Sequence, residues 1–166
     1  MTKERMIEIL RNAYQVEVEG ELFYRNVVAT IQSEEARDML IYLAEQEALH
    51  KTFISDQIKR VNDGQSIDLS RLKGMSVEDR EKFFADSIKK AKDFTQNEAS
   101  ALHTGLLLER STLEFYREAS EKAGGAEEKE LYRLLADWEQ VHVRTLDSAY
   151  TELKERIWSD NRFAPF

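Results

Sequence analysis

The most informative parts of the sequence are LAEQEALH at residues 43–50 and LADWEQVH at residues 135–142. Each carries the pattern Glu-x-x-His. On an α-helix, residues i and i+3 point to nearly the same side, so a carboxylate and an imidazole at this spacing can bind one ion together. The two patterns are formed by Glu47 with His50 and by Glu139 with His142.

A second glutamate precedes each pattern by the same interval. Glu17 lies 30 residues before Glu47, and Glu109 lies 30 residues before Glu139. The sequences around the earlier glutamates also correspond, since VEVEGELFYR and LERSTLEFYR share their Glu, their Phe-Tyr pair and their Arg. The chain therefore contains an internal repeat, in which each half supplies two glutamates and one histidine.

Apolar residues recur at heptad-like spacing in four long segments, which predicts four helices. Their ends are marked by an N-cap at Ser33, by a capping box at Thr95 with Glu98, and by a helix stop at Gly124-Gly125. We expect the helices at about residues 3–31, 34–62, 96–122 and 127–157.

The connections between these helices predict the topology. Short turns join the first two and the last two helices, so that residues 3–62 and 96–157 each form an antiparallel hairpin. The crossover at 63–95 is long enough to run the height of a bundle, and Ser76 begins a sequence that predicts a short extra helix. The prediction is an all-α protein with a single domain over 1–166, an antiparallel four-helix bundle of two helical hairpins joined by a long crossover. An aromatic tail follows at 158–166.

The composition limits the partners. The 166 residues carry a net charge of −8, which argues against nucleic acid because phosphate contacts need a basic surface. The sequence has no cysteine, which excludes a disulfide framework, a thiolate metal site and a cysteine nucleophile. No apolar run reaches the roughly 20 residues of a membrane-spanning helix, and the N-terminal stretch is amphipathic rather than secretory. We therefore expect no nucleic-acid partner, no membrane partner and a cytoplasmic location.

Acidic residues and histidines interrupt each apolar stripe. A buried carboxylate without a partner is costly, so it normally becomes neutral, pairs with a cation or binds a metal. Carboxylate-rich ligation with one imidazole per ion suits iron or manganese, and zinc is an alternative. The sequence thus predicts two metal ions inside the bundle, bound by Glu17, Glu47, His50, Glu109, Glu139 and His142.

These residues resemble the ferritin-like superfamily, and specifically the di-iron domain of the rubrerythrin family, over about residues 3–157. The resemblance implies a ferritin-like bundle with two iron ions in a non-haem site that reacts with peroxide or dioxygen. It also implies the role of each ligand: bridging for Glu47 and Glu139, terminal for Glu17 and Glu109, and one iron each for His50 and His142.

The resemblance further implies that Tyr24 and Tyr116, each seven residues after a ligand glutamate, hydrogen-bond ligand carboxylates. The alternative is that both are core aromatics whose hydroxyl groups are satisfied elsewhere. A homodimer is also expected from the resemblance.

Two departures from the rubrerythrin pattern bear on the reaction. Rubrerythrins carry a cysteine-ligated rubredoxin domain that supplies electrons, and this sequence has no cysteine, so an external electron-donor protein is expected. Rubrerythrins also tend to have a further ligand glutamate where this chain has Thr112. The resulting site of four glutamates and two histidines is closer to a ferroxidase centre, and a peroxidase role is weakened accordingly.

Several neighbouring residues have competing interpretations. Glu21 lies on the same stripe as Glu17, but the repeat places Leu113 at its equivalent position, which favours Glu17 as the ligand. The remaining candidates are interpreted as solvated, structural or packing residues: Glu19, Glu45, His103 and Trp138.

Three functions follow from the sequence. The first is an oxidoreductase that oxidises Fe(II) or acts on peroxide or dioxygen. The second is an iron-binding carrier or storage-associated protein without catalytic turnover. The third is a structural bundle without metal, which is disfavoured because six ligand-type residues would make an expensive core.

Overall fold

The computed structural model describes residues 2–70, 81–91 and 95–160, with the side chains of 157–160 excepted. Within this part of the chain there is no strand, and the following helices are defined: α1 Lys3–Val28, α2 Glu34–Asn62, α3 Glu81–Lys90, α4 Gln96–Lys122 and α5 Ala126–Asp160. The all-α fold predicted from the sequence is therefore confirmed.

The boundaries of the long helices agree with the sequence to within three residues. Helix α1 ends at Val28 rather than near 31, because the chain turns there and the backbone N–H of Thr30 donates to the carbonyl of Val27. Helix α3 lies within the predicted crossover. The start of the extra helix that we predicted at Ser76, and the aromatic side chains of the tail at 158–166, fall outside the described residues.

Contacts at the two ends of the bundle establish its topology. The Arg5 guanidinium lies 3.1 Å from the Glu128 carboxylate, which brings the starts of α1 and α5 to one end. At the other end, Glu98 near the start of α4 accepts hydrogen bonds from the α1–α2 turn. Helices α2 and α4 therefore run in the same direction, as the long crossover requires.

Helix α3 packs on one side of the bundle, against α2 and α5. The rings of Phe84 and Tyr42 lie 5.2 Å apart between α3 and α2. The Ser148 hydroxyl donates to Glu81 at 2.7 Å between α5 and α3. Helix α3 thus covers the α2–α5 side, and the site described below opens on the opposite side, between α1 and α4.

The helices of the described residues do not combine the length and the apolar character that a bilayer crossing requires.

Glu98 fixes the α1–α2 turn to the start of α4. Its buried carboxylate accepts from the backbone N–H groups of Gln32 at 2.9 Å, Ser33 at 3.2 Å and Thr95 at 2.9 Å. The Thr95 hydroxyl also donates to it, which completes the predicted capping box. Burial raises the pKa of Glu98, but the hydrogen bonds from Thr95, Gln32 and Ser33 outweigh it and lower the pKa to about 2.

Glu98→Gln is expected to lower the free energy of unfolding by about 1 to 3 kcal/mol at pH 7. The reason is that the amide NH2 group of glutamine would face the backbone N–H groups that now donate to the carboxylate. The folded-state pKa lies below the ordinary value of 4.5, so the stabilisation is present above pH 4.5 and is lost as the pH falls toward 2. Urea denaturation at several pH values measures both effects. The exposed Glu114→Gln on the same helix is the control, and equal losses in the two variants would contradict the prediction.

Candidate metal centre

Six side chains from four helices meet in the middle of the bundle. None of them is more than 4% exposed. Their ligand atoms form two groups, and within each group these atoms lie within 4.8 Å of one another. The first group comprises Glu17, Glu47 and His50, and the second comprises Glu47, Glu109, Glu139 and His142. The structure therefore brings together all six predicted ligands.

The first group lies between α1 and α2. His50 Nδ1 is 3.1 Å from Glu17 Oε2 and 3.6 Å from Glu47 Oε2. The i, i+3 spacing of Glu47 and His50 on α2 gives this approach, since one turn of helix places both side chains on the face that meets α1.

The second group joins α2 to α4 and α5. His142 Nδ1 is 3.1 Å from Glu47 Oε1, 3.5 Å from Glu109 Oε2 and 3.9 Å from Glu139 Oε2. The two oxygens of Glu47 thus face different imidazoles. This is the arrangement expected of a carboxylate that bridges two ions.

The bridging role that the resemblance implies for Glu139 has less support than that of Glu47. Glu139 falls only in the second group, while Glu47 belongs to both. One oxygen of Glu139, Oε1, is buried and makes no hydrogen bond within the described residues. The two halves of the repeat are therefore not equivalent in this structure, although their sequences correspond.

The donor atoms left without partners fit a metal site. Among the described residues, Glu17 Oε1, Glu139 Oε1, His50 Nε2 and both ring nitrogens of His142 are buried without a hydrogen bond. Buried polar atoms are nearly always paired, so such a concentration needs an explanation. Cations placed among these carboxylates and imidazoles would supply the missing partners.

Several carboxyl groups of the cluster have shifted pKa values, because they are buried and lie close to other charged groups. Burial and the charge of Glu47 raise the pKa of Glu17 to about 8. Burial, together with the charges of Glu17 and Glu109, raises the pKa of Glu139 well above its usual range. Burial also raises the pKa of Glu109, but the charge of the nearby His142 outweighs this and lowers the pKa to about 2. Without a metal, some carboxyl groups must therefore hold protons to limit repulsion, and bound cations would replace those protons.

The two predicted tyrosines differ in their contacts. The Tyr24 hydroxyl donates to Glu109 Oε1, which links α1 of the first hairpin to a predicted ligand in the second. The Tyr116 hydroxyl is buried and makes no hydrogen bond in the described part of the chain. Burial and the nearby charge of Glu17 raise its pKa. The predicted hydrogen bond to a ligand carboxylate is thus observed for Tyr24 and not for Tyr116.

Trp138 contacts the cluster in a way that the sequence did not indicate. Its ring stacks on His50 with centroids 4.1 Å apart and an interplanar angle of 10°. The His50 and His142 rings are also stacked, at 5.2 Å. Trp138 on α5 therefore fixes the orientation of an imidazole on α2. This contact depends on the register between two helices, for which the sequence contains no local signal.

The other polar candidates lie outside both groups. Glu21 pairs with Lys51 and lies 2.7 Å from Arg25, which agrees with the choice of Glu17. Glu19 and Glu45 are exposed. His103 is exposed and stacks on Tyr150 at 5.1 Å.

A cavity of about 220 Å³ connects the centre to the surface between α1 and α4. Three of the predicted ligands, Glu47, Glu109 and Glu139, line it, and the exposed Glu19 also contributes to its wall. The repeat-related positions Gly20 and Thr112 line it from α1 and α4 as well. A small reactant can therefore approach the carboxylates from this side.

Comparison with known proteins agrees with this geometry. The model of the Rubrerythrin family matches residues 8–150. Neither the comparison with curated proteins nor the comparison with solved structures returned a match. The family match covers most of the 166 residues and includes all six clustered glutamates and histidines, so the chain belongs to the rubrerythrin family.

Proposed function

We propose that this protein is a non-haem di-iron oxidoreductase that acts on peroxide or dioxygen or oxidises Fe(II). The observation that carries the proposal is the buried cluster of two ligand groups that share Glu47. The family match supports a di-iron protein. The proposed substrates, Fe(II), peroxide and dioxygen, are argued from the donor atoms of the cluster and from the residues that line its cavity.

The donor set supports iron. Four carboxylates and two imidazoles provide mainly oxygen ligands with one nitrogen for each ion, which suits iron or manganese better than it suits softer metals. Zinc can use the same donors, but it has no redox chemistry. A bound pair of iron ions would supply the two electrons that reduction of a peroxide requires.

The protein's own residues have three tasks in this proposal. Tyr24 holds Glu109 through its hydrogen bond, which orients that ligand. Glu17, whose pKa is raised to about 8, releases its proton when a cation binds. The cavity between α1 and α4 admits a small reactant to the carboxylates. Thr112 lines this cavity and adds no further carboxylate, which favours Fe(II) oxidation over a peroxidase reaction.

The predictions about partners belong to the same proposal. An external electron-donor protein is one of these predicted partners. A homodimer and a cytoplasmic location are further expectations, which sedimentation analysis and cell fractionation would measure.

The proposal predicts that metal-free protein takes up about two Fe(II) per chain under anaerobic conditions. Addition of peroxide or dioxygen is then expected to produce an optical change that returns in full after each re-reduction. Stopped-flow absorbance and elemental analysis measure these results, with free Fe(II) in the same buffer as the control. A single oxidation without recovery would favour an iron carrier or storage-associated protein. Failure to bind iron would refute the proposed function.

A further inference from the structure

Two glycines lie inside the described helices, and both are next to the candidate metal centre. Gly20 is in α1 and Gly105 is in α4, whereas the other described glycines, Gly64, Gly124 and Gly125, lie outside helices. Glycine inside a helix is less favourable than alanine because it loses more backbone entropy on folding. A local reason is therefore needed for glycine at these two positions.

Gly20 faces the carboxylate shared by the two ligand groups. A Cβ atom at this position would lie 3.2 Å from Glu47 Cδ and 3.4 Å from Glu47 Oε1. Glu47 cannot yield freely, because its oxygens face His50 and His142 on either side. A displacement that relieved the contact would change the position of the shared ligand toward both imidazoles.

Gly105 faces the tyrosine that holds another ligand. A Cβ atom there would lie 3.3 Å from Tyr24 Cε1 and 3.5 Å from the Tyr24 hydroxyl oxygen. Tyr24 is fully packed, with 1% of its surface exposed. Its hydroxyl donates to Glu109, so a shift of the ring would weaken the link between α1 and the second ligand group.

The internal repeat shows that glycine is not a general requirement at these positions. The residue equivalent to Gly20 in the second hairpin is Thr112, and the residue equivalent to Gly105 in the first hairpin is Ala13. Tyr116 is the counterpart of Tyr24, and its hydroxyl makes no hydrogen bond within the described residues. Where the repeat has alanine, at Ala13, the corresponding tyrosine makes no hydrogen bond in the part of the chain that the structure describes. Where it has glycine, at Gly105, the corresponding Tyr24 donates to Glu109.

We propose that Gly20 and Gly105 are positioning residues, which leave the room that Glu47 and Tyr24 need to reach their places in the metal centre. The inference rests on the proposed metal centre. Each glycine weakens its helix and improves the placement of a group that binds a cation or orients a ligand.

Gly20→Ala provides the first test. Metal-free protein is expected to be as stable to urea as the parent or more stable, because alanine favours the helix. Affinity for Co(II), measured by competition with a chelator, is expected to fall at least about tenfold, and the Co(II) absorption spectrum should change because ligand positions matter to within about 0.2 Å. Gly124→Ala is the matched control, since a Cβ there meets nothing within 4 Å.

Gly105→Ala provides the second test. Its effect on Co(II) affinity should disappear in a Tyr24→Phe background, because the glycine acts through the Tyr24 hydroxyl. An effect of equal size in both backgrounds would overturn the role of Gly105. The near-ultraviolet tyrosine spectrum of metal-free Gly105→Ala should also shift from that of the parent, because a weaker hydrogen bond to Glu109 changes the absorption of the Tyr24 phenol.

The outcomes separate this inference from the proposed function. A parent protein that binds no metal refutes the proposed function itself. A parent that binds two ions, with Gly20→Ala and Gly105→Ala binding as tightly and with unchanged spectra, overturns only the role of the glycines. Gly20→Ala could also destabilise the metal-free protein. In that case, recovery of the parent's stability in the double variant Gly20→Ala/Glu47→Ala supports the contact between residue 20 and Glu47, and a loss of stability that persists in the double variant overturns it.

Discussion

Glu47→Ala is expected to remove most of the metal from both sites, whereas Glu17→Ala should leave about one ion per chain, because a missing ligand weakens mainly the ion it contacts. The reason is the geometry of the shared carboxylate. Glu47 belongs to both ligand groups, and Glu17 belongs only to the group with His50. Elemental analysis of protein expressed in iron-rich medium gives the stoichiometry of each variant.

Glu45→Ala is the matched control, because Glu45 lies on the same helix and is exposed. His142→Ala should also lower the metal content well below that of the parent, since His142 is the imidazole of the second group. Unchanged stoichiometry in both Glu47→Ala and His142→Ala would show that the clustered residues are not the ligands.

The long helices and the ligand cluster could be predicted from the sequence because both depend on regular spacing. Periodic apolar residues indicate a helix, and ligands placed on that period must point into the same core. The two Glu-x-x-His patterns and the earlier glutamates therefore identified all six residues that meet in the structure. The repeat also distinguished Glu17 from Glu21, which the structure places in an ion pair with Lys51.

Contacts between helices could not be predicted in the same way. The stacking of Trp138 on His50 crosses from one hairpin to the other. The hydrogen bond from Tyr24 does so too: the resemblance implied a ligand carboxylate as its acceptor, but the sequence did not identify Glu109 of the other hairpin as that acceptor. Such contacts depend on the rotation and register of packed helices, which side-chain packing determines and no local pattern specifies. Helix packing also explains why Glu47 belongs to both ligand groups and Glu139 to only one. The sequence repeat predicts equivalent positions for these two residues, but the packed helices do not place them equivalently.

Removal of the metal should expose a pH dependence to which Glu17 contributes. The folded-state pKa of Glu17 is raised to about 8, above its ordinary value of 4.5. A carboxyl group of this kind contributes stability that is fully present below pH 4.5 and is lost as the pH rises through 8. Metal-free parent protein is therefore expected to lose stability between pH 6 and pH 9.

Glu17→Gln should avoid this part of the loss, because a neutral amide replaces the protonated carboxyl group and cannot ionise. Relative to the parent, the variant is expected to gain about 2 to 3 kcal/mol in the free energy of unfolding between pH 6 and pH 9. Urea denaturation in a chelating buffer measures the difference, with the exposed Glu19→Gln as the control. Parallel pH profiles for Glu17→Gln and the parent would contradict the raised pKa. With metal ions present, the parent should instead have the higher free energy of unfolding, since bound cations require the ionised carboxylate that Glu17→Gln lacks.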